Sequence, residues 1–208
     1  MDPVNSCFVS YRHTGDPQAD KFVQVFVAQL QKQVALCMPG VPVFFDKEGL
    51  KVGDRYNEEL AYELCRSACM VLVFSPLYFD VHHPYCALEY RAMVELEQKR
   101  LCQAVDLSKK GLILPVVFRG LDDLPGEIKN HRNYENFDHI ATESQFLLRD
   151  CQRRLKLLAE EIWKCYRGLN NARVFVQDDC QQFRFPDKAQ VLPWLKGVAS
   201  IRVNMPGH

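Results

Sequence analysis

The chain has 208 residues, which is enough for one domain with a substantial hydrophobic core. Its 48% hydrophobic and 25% charged residues exclude intrinsic disorder, and no apolar run is long enough to predict a membrane span. The 26 basic residues balance the 26 acidic ones, without a run of five like charges. Composition therefore predicts no binding to nucleic acid or to lipid headgroups.

The amino-terminal residues and the cysteines favour a cytoplasmic location. Residues 1–7 lead directly into an apolar run and lack the basic and apolar regions of a secretory signal. The nine cysteines are odd in number and mostly stand among apolar residues, which favours a reducing compartment. Cys65 and Cys69 have no second Cys or His pair at zinc-site spacing, so no metal site is predicted.

The chain alternates strand-like and helix-like patterns. Short apolar runs predict strands at residues 7–11, 41–45, 69–74 and 112–118, with a shorter one at 134–137. Apolar residues at helical spacing predict helices at 17–38, 54–67, 84–100 and 144–166, and a weak helix at 122–129. Asp16 is the expected cap of the first helix, and Pro17 its first residue. Pro115 lacks a backbone donor, which predicts a bulge or an irregular end in the fourth strand.

This alternation predicts an α/β fold. Short connections and right-handed crossovers favour a flavodoxin-like, doubly wound sheet of five parallel strands in the order 2-1-3-4-5, with helices on both faces. We assign this domain to residues 1–167. Residues 168–208 are a C-terminal extension of unknown role, with a possible strand at 173–176.

Open parallel sheets bind ligands at the carboxyl ends of the strands, where the direction of the connections reverses, here between the first and third strands. One loop at this place carries Ser10, Arg12 and His13 and leads into a helix whose amino end favours an anion such as phosphate. Arg12 either binds a diphosphate or has a structural role, in which it caps its own loop or pairs with Asp16. The second loop carries three further candidates, Ser75, Tyr78 and Phe79.

One acidic residue interrupts the apolar face of the helix predicted at 84–100. At about 100° per residue, Glu89 falls on the stripe formed by Tyr85, Ala92, Met93 and Leu96. A carboxylate at this position either reaches solvent at the helix edge or lies in the crevice beside the strand ends. Burial without a partner costs several kcal/mol, so the second arrangement requires a partner or a function for Glu89.

Five segments resemble the successive motifs of a Toll/interleukin-1 receptor (TIR) domain. They are FVSYR at 8–12, FFDKEGLKVGD at 44–54, SACMVLVFSPLYF at 67–79, YCALE at 85–89 and LPVVF at 114–118. The resemblance extends over about residues 5–166, in order and spacing, and the family's fold has the same alternation of five strands with helices. The chain resembles the NAD-cleaving TIR proteins of prokaryotic type.

The resemblance implies that NAD is a substrate and that no cofactor is bound. Many TIR domains cleave NAD with one glutamate in an aromatic-x-x-x-Glu pattern, which Tyr85 and Glu89 match, although the aromatic residue is often Trp. One carboxylate suffices because nicotinamide is already a cationic leaving group, whereas ordinary glycosidases need two carboxylates. We expect catalytic Glu89 to bind the ribose hydroxyls and stabilise oxocarbenium charge. The substrate-binding candidates are the crevice residues and the aromatic residues that could stack on nicotinamide: Ser10, Arg12, His13, Ser75, Tyr78, Phe79 and Tyr85.

The loop after the second strand is a predicted self-association surface, because TIR domains contact one another through this segment. Its charged, glycine-bearing composition suits either an exposed, movable element or a solvated turn. The residues are Asp46, Lys47, Glu48, Gly49 and Leu50. The resemblance further implies homo-oligomers, activity that depends on assembly, and a role in innate immunity, antiviral defence or cell-death signalling.

Two other functions remain open at this point. A non-enzymatic TIR scaffold would act by TIR–TIR association alone, and a nucleoside deoxyribosyltransferase-like enzyme shares the sheet and also acts on N-glycosides. A dehydrogenase would need a G-x-G-x-x-G turn after the first strand, where Gly15 stands alone. If the chain cleaves NAD, the product is ADP-ribose or a cyclic isomer of it.

Overall fold

Five parallel strands form one sheet in the order 2-1-3-4-5, which confirms the predicted fold class. The structure is a computed structural model that describes residues 4–46, 54–104, 111–140, 142–174 and 180–203. The strands are β1 (Asn5–Tyr11), β2 (Val43–Phe45), β3 (Ser67–Phe74), β4 (Ile113–Val117) and β5 (Glu135–Asn136). β1 and β3 are buried along their whole length, as expected of central strands that helices cover on both faces.

Helices cover both faces of the sheet. They are α1 (Pro17–Cys37), α2 (Asp54–Cys65), α3 (Tyr85–Leu101), α4 (Gly126–His131), α5 (Arg149–Asn171) and α6 (Lys188–Val203). α1 packs against α5 on one face, α2 packs against α3 on the other, and α6 packs on α3. Nowhere in the described ranges does a helix combine the length and the apolar composition needed to cross a bilayer.

The predicted start of α1 is confirmed, since the helix begins at Pro17. The residues that it buries against the sheet recur every three or four positions, so one side of the helix is apolar throughout. They are Val23, Phe26, Val27, Leu30 and Val34. The chain reverses after this helix at Gly40, whose φ of +82° is a conformation that glycine adopts without strain.

The prediction of a bulge or irregular end at Pro115 is wrong, because Pro115 pairs in regular register with Leu72 of β3. Phe118 donates its backbone N–H to Phe74 on the β3 side, so alternation along the strand turns the nitrogen of Pro115 to the opposite side. On that side β5 pairs with Val116 and Val117 only. The missing donor of Pro115 therefore costs no hydrogen bond of the ladder.

The C-terminal part differs from the sequence prediction in two ways. The helix predicted at 144–166 is a 3₁₀ turn, Glu143–Leu147, followed by α5, and the extended backbone of Leu148 separates the two. Residues 173 and 174 are not in a strand, and the rest of the strand predicted at 173–176 lies outside the described residues. The domain boundary at residue 167 stays a prediction.

Not all cysteines are thiols, contrary to the expectation from their number and surroundings. Cys65 at the end of α2 forms a disulfide with Cys180, with 5.5 Å between the Cα atoms. Cys180 belongs to the C-terminal segment, so the bridge attaches that segment to the α2 and α3 face. Most of the other described cysteines are buried thiols, whereas Cys102 is exposed.

Candidate active site

Glu89 lies inside the protein, one turn after the start of α3, and only 8% of it is exposed. Its Oε2 accepts a hydrogen bond of 2.5 Å from Oγ of Ser10, near the end of β1. The same Ser10 oxygen is 2.6 Å from the hydroxyl of Tyr78. Because the single proton of Ser10 goes to Glu89, Tyr78 donates to Ser10, and a chain of two hydrogen bonds fixes the carboxylate.

Burial raises the pKa of Glu89 to about 8. The hydrogen bond from Ser10 lowers this pKa, and the carboxylate of Asp46 raises it further. Glu89 is therefore mainly the neutral acid at pH 7. A cation placed beside the carboxyl group would shift the equilibrium toward the charged form.

The carboxyl group of Glu89 lies on a cavity of about 30 Å³ between the end of β1 and the start of α3. This volume is large enough for one or two water molecules. Its polar or aromatic lining comes from three stretches of chain: Tyr11, Arg12 and His13 after β1, Asp46 after β2, and His83, Tyr85, Cys86 and Glu89 at α3. Phe8, Val9 and Leu60 complete it on the side of the core.

The loops after β1 and β2 are joined at this cavity by Tyr11. Its hydroxyl donates to the backbone oxygen of Asp46 at 3.2 Å and lies 2.9 Å from Nδ1 of His13. Nε2 on the other side of the His13 ring lies 3.8 Å from Oδ2 of Asp46. Burial lowers the pKa of His13, although Asp20 and Asp46 oppose it, so the imidazole is neutral at pH 7.

Two nitrogen atoms at the cavity are buried without a hydrogen-bond partner in the described parts of the chain: Nε of Arg12 and Nε2 of His13. Unpaired buried polar atoms are rare in folded proteins because losing water without a replacement costs about 1–3 kcal/mol. Nε of Arg12 can donate to an anionic group, and Nε2 of His13 can exchange a hydrogen bond with a hydroxyl group in either tautomer of the ring. Both atoms therefore suit a ligand that brings these groups.

The structure brings most of the predicted site residues together and separates others. Ser10, Arg12, His13, Tyr85 and Glu89 surround or support the cavity. Ser75 lines a different cavity, on the α1 side of the sheet.

Tyr78 and Phe79 are 0% and 1% exposed, packed edge to face against each other in the core. Neither ring offers a face to a ligand, so the prediction that Tyr78 or Phe79 stacks on nicotinamide is not supported. Of the three aromatic candidates, Tyr85 is the one that can still take this role. Tyr85 is half-buried and lines the cavity.

The predicted self-association loop is described only at its first residue, Asp46, which lines the cavity beside Glu89. Lys47, Glu48, Gly49 and Leu50 lie outside the described residues. The role of this loop stays a prediction. Its start is nevertheless tied to the site, through the hydrogen bond from Tyr11.

Among the polar or aromatic residues that line the cavity after β1 and at α3, sequence reasoning missed Tyr11, His83 and Cys86. Tyr11 is the last residue of β1, and the rule that ligands bind at the carboxyl ends of strands was the available signal for it. Cys86 is buried next to Tyr85, and its thiol donates to the backbone oxygen of Tyr11 at 3.4 Å. In the described ranges, no three His, Cys, Asp or Glu side chains lie close enough to hold a metal ion.

Comparison with known proteins adds one finding to this geometry. A family model described as a TIR domain matches residues 7–148 of the 208, more than half of the chain. The matched range contains the sheet apart from Asn5 and Ser6 at the start of β1, and every residue that lines the cavity. No curated protein matches the chain.

Proposed function

The chain belongs to the TIR domain family, and we propose that it cleaves the bond between nicotinamide and ribose in NAD. The family includes NAD glycohydrolases. In the proposed reaction NAD and water give nicotinamide, ADP-ribose and a proton, or the ribose is captured internally to give a cyclic isomer. The proposed setting is signalling in defence or cell death.

One observation carries the proposal: a carboxyl group buried in the core-facing side of α3 faces a cavity at the carboxyl ends of β1 and β2. Burial of a glutamate is costly unless the group is used or paired, and the hydrogen bond from Ser10 satisfies only one of its oxygen lone pairs. Strongly perturbed carboxyl groups in clefts are typical of catalytic sites.

The reaction asks for charge stabilisation more than for proton transfer. As the C–N bond breaks, its electron pair goes to the pyridinium nitrogen, nicotinamide leaves as a neutral molecule, and positive charge develops on the ribose. In the proposed reaction Glu89 accepts hydrogen bonds from the ribose hydroxyls and stabilises that charge. Water or an internal nucleophile then adds to the anomeric carbon, and a proton is released.

The charge of the substrate also sets the protonation state of Glu89. Without ligand, burial keeps the group mainly neutral at pH 7. The pyridinium ring of NAD brings a positive charge into the site, and this charge lowers the pKa of a neighbouring carboxyl group. Binding of the substrate therefore ionises the residue that the reaction needs.

The size of the cavity favours a second candidate function, association without catalysis. A volume of about 30 Å³ is far below that of nicotinamide with its ribose, since sites for small molecules begin near about 300 Å³. NAD binding thus requires side chains such as Tyr85 to move. We propose that self-assembly provides this rearrangement, and a pure scaffold would never undergo it.

A substrate panel tests the proposal. Purified full-length protein is incubated with NAD, inosine or deoxyadenosine, with and without a crowding agent, and the products are separated by chromatography. We expect that only NAD is cleaved. Nicotinamide should form in an amount equal to that of ADP-ribose and its cyclic isomer together. Cleavage of the nucleosides instead would favour the deoxyribosyltransferase-like alternative. Intact NAD in assembled protein would leave association as the function.

A further inference from the structure

A second cavity lies on the opposite side of the end of β1 from Glu89. Its volume is about 300 Å³, and it is bounded by the first turns of α1 and by the ends of β3 and β4. Tyr11 and Arg12 line both cavities, so the two spaces share one wall. This wall stands between β1 and β3, where the connections leave the sheet in opposite directions.

The lining of the second cavity combines an aromatic ring with polar groups. The ring of Phe22 is half-buried, and Arg119 lies 5.8 Å from its centre. Arg119 is itself held by hydrogen bonds of 2.7 to 2.9 Å to the backbone oxygens of Phe118, Asp138 and Ile140. The guanidinium group lies over the Phe22 ring, and a planar guanidinium group held in this way is itself a suitable stacking surface for a purine base.

Acidic and hydroxyl groups line the same cavity, from Asp16 and Asp20 on α1 and its cap and from Ser75 after β3. An acidic side chain near the switch point of a doubly wound sheet is a common partner of ribose hydroxyls. The cavity also has the volume at which sites for small molecules begin. Its chemistry therefore fits a purine nucleoside better than a second anion.

Arg12 lines both cavities, so it could bind the part of a ligand that extends from one cavity into the other. Its Nε is buried and has no hydrogen-bond partner in the described parts of the chain. A guanidinium group in this situation is suited to a phosphate or diphosphate group. A dinucleotide laid across the end of β1 would bring its diphosphate to this residue.

We propose that the second cavity binds the adenosine half of NAD, with the diphosphate on Arg12 and the nicotinamide half directed to Glu89. This inference rests on the proposed function and adds an assignment for the other end of the substrate. In this assignment the adenine stacks on the guanidinium group of Arg119, which lies over the Phe22 ring, and Asp20 binds the adenosine ribose. The Glu89 cavity then has to widen only for nicotinamide and its ribose.

The test fills the second cavity from its exposed rim. Ala19 is exposed on α1 and lines this cavity, and Ala28 is exposed on the same helix outside it. We expect Ala19→Trp to lower kcat/KM for NAD by about tenfold or more. The reference value is kcat/KM of the unchanged protein for nicotinamide mononucleotide, which lacks adenosine, and the variant's value for NAD should approach it. Ala28→Trp should change neither value. Equal NAD kinetics in the two variants would overturn the assignment.

A binding measurement separates failure of this inference from failure of the proposed function. AMP is titrated into the unchanged protein and into Ala19→Trp. The amide NMR signals of Phe22 and of the residue at position 19 are followed in both proteins. Shifts in the unchanged protein that are lost in Ala19→Trp support the adenosine site even if NAD is never cleaved. No shift in the unchanged protein, or the same shift in both proteins, would contradict the assignment.

Discussion

The buried carboxyl group of Glu89 makes stability depend on pH in a defined direction. Its pKa is raised from 4.5 to about 8, so the folded protein holds the proton more tightly than the unfolded chain does. The contribution of the neutral acid to folding is complete below pH 4.5 and is lost progressively as the pH rises through 8. Above that pH, folding has to bury a charge.

Replacement of Glu89 by glutamine should remove this dependence, because the amide does not titrate and still accepts from Ser10. The free energy of unfolding of Glu89→Gln minus that of the unchanged protein should increase by on the order of 3 kcal/mol from pH 5 to pH 9. Urea denaturation at both pH values measures the gain, with Glu95→Gln, an exposed position on the same helix, as control. A gain that does not change with pH would mean that Glu89 is charged throughout.

Tyr78 acts through Ser10, since its hydroxyl donates to the oxygen that binds Glu89. We expect Tyr78→Phe to reduce kcat by about tenfold, equivalent to about 1.4 kcal/mol, with little effect on KM. Tyr90→Phe is the matched control, because it removes a buried tyrosine's hydroxyl that binds Glu127, 3.0 Å away, and not the site. Equal kinetics in the two variants would remove the positioning role from Tyr78.

The burial of some ionisable side chains was predictable from the sequence, and the burial of others was not. Glu89 interrupts an apolar stripe, and that signal is local to one helix. Glu97 falls off the stripe and is nevertheless buried, because Arg132 binds both of its carboxylate oxygens at 2.7 and 2.9 Å. Arg100 is fully buried and donates to the backbone oxygens of Cys65 and Ser67. Such pairings depend on contacts between distant segments, which periodicity does not encode.

At the scale of elements, the C-terminal helix α6 is attached to the helix that carries Glu89. Trp194 packs on Phe79 and Tyr90, with ring centres 5.1 and 5.6 Å apart, and its indole N–H donates to Glu127 at 3.0 Å. Lys188 lies 4.7 Å from the centre of the Tyr85 ring. The extension therefore contacts the aromatic residue at the edge of the site.

The disulfide that holds this segment should stabilise the fold. Cys65 and Cys180 are 115 residues apart, so the bridge closes a long loop in the unfolded chain. We expect the double substitution Cys65→Ser with Cys180→Ser to lower the free energy of unfolding by about 3 kcal/mol. Denaturation without reductant measures the loss, and Cys102→Ser, at an exposed thiol, is the control. Equal stability of the double variant and the control would show that the bridge does not form.

Elements with a strong periodic pattern were predictable, and their connections were less so. The four longest predicted strands and the helices between them coincide with β1 to β4 and α1 to α3, because apolar spacing reports burial directly. α6 was not predicted, since Pro193 lies inside it and its apolar residues are not confined to one face. The disulfide joins the end of α2 to the segment before α6. Sequence spacing alone does not show which two cysteines pair.

At the scale of the whole molecule, the proposed function makes NAD cleavage depend on assembly, because the Glu89 cavity is too narrow for nicotinamide and its ribose. Asp46 borders the cavity and begins the predicted self-association loop, so contact between two molecules at that loop would act directly on the site. We expect the rate of NAD cleavage per molecule to rise with protein concentration, in parallel with the mass measured by light scattering. A constant rate per molecule, including in a solution shown to be monomeric, would contradict activation by assembly.

The most direct measurement compares nicotinamide release by the unchanged protein, Glu89→Gln and Glu95→Gln under assembling conditions, after NMR spectra have shown that all three are folded. Loss of one preorganised electrostatic group should reduce kcat for Glu89→Gln by about 10²–10³-fold, and Glu95→Gln should retain full activity. Release at the same rate by all three proteins would contradict the assignment of Glu89 as the group that stabilises the departing charge.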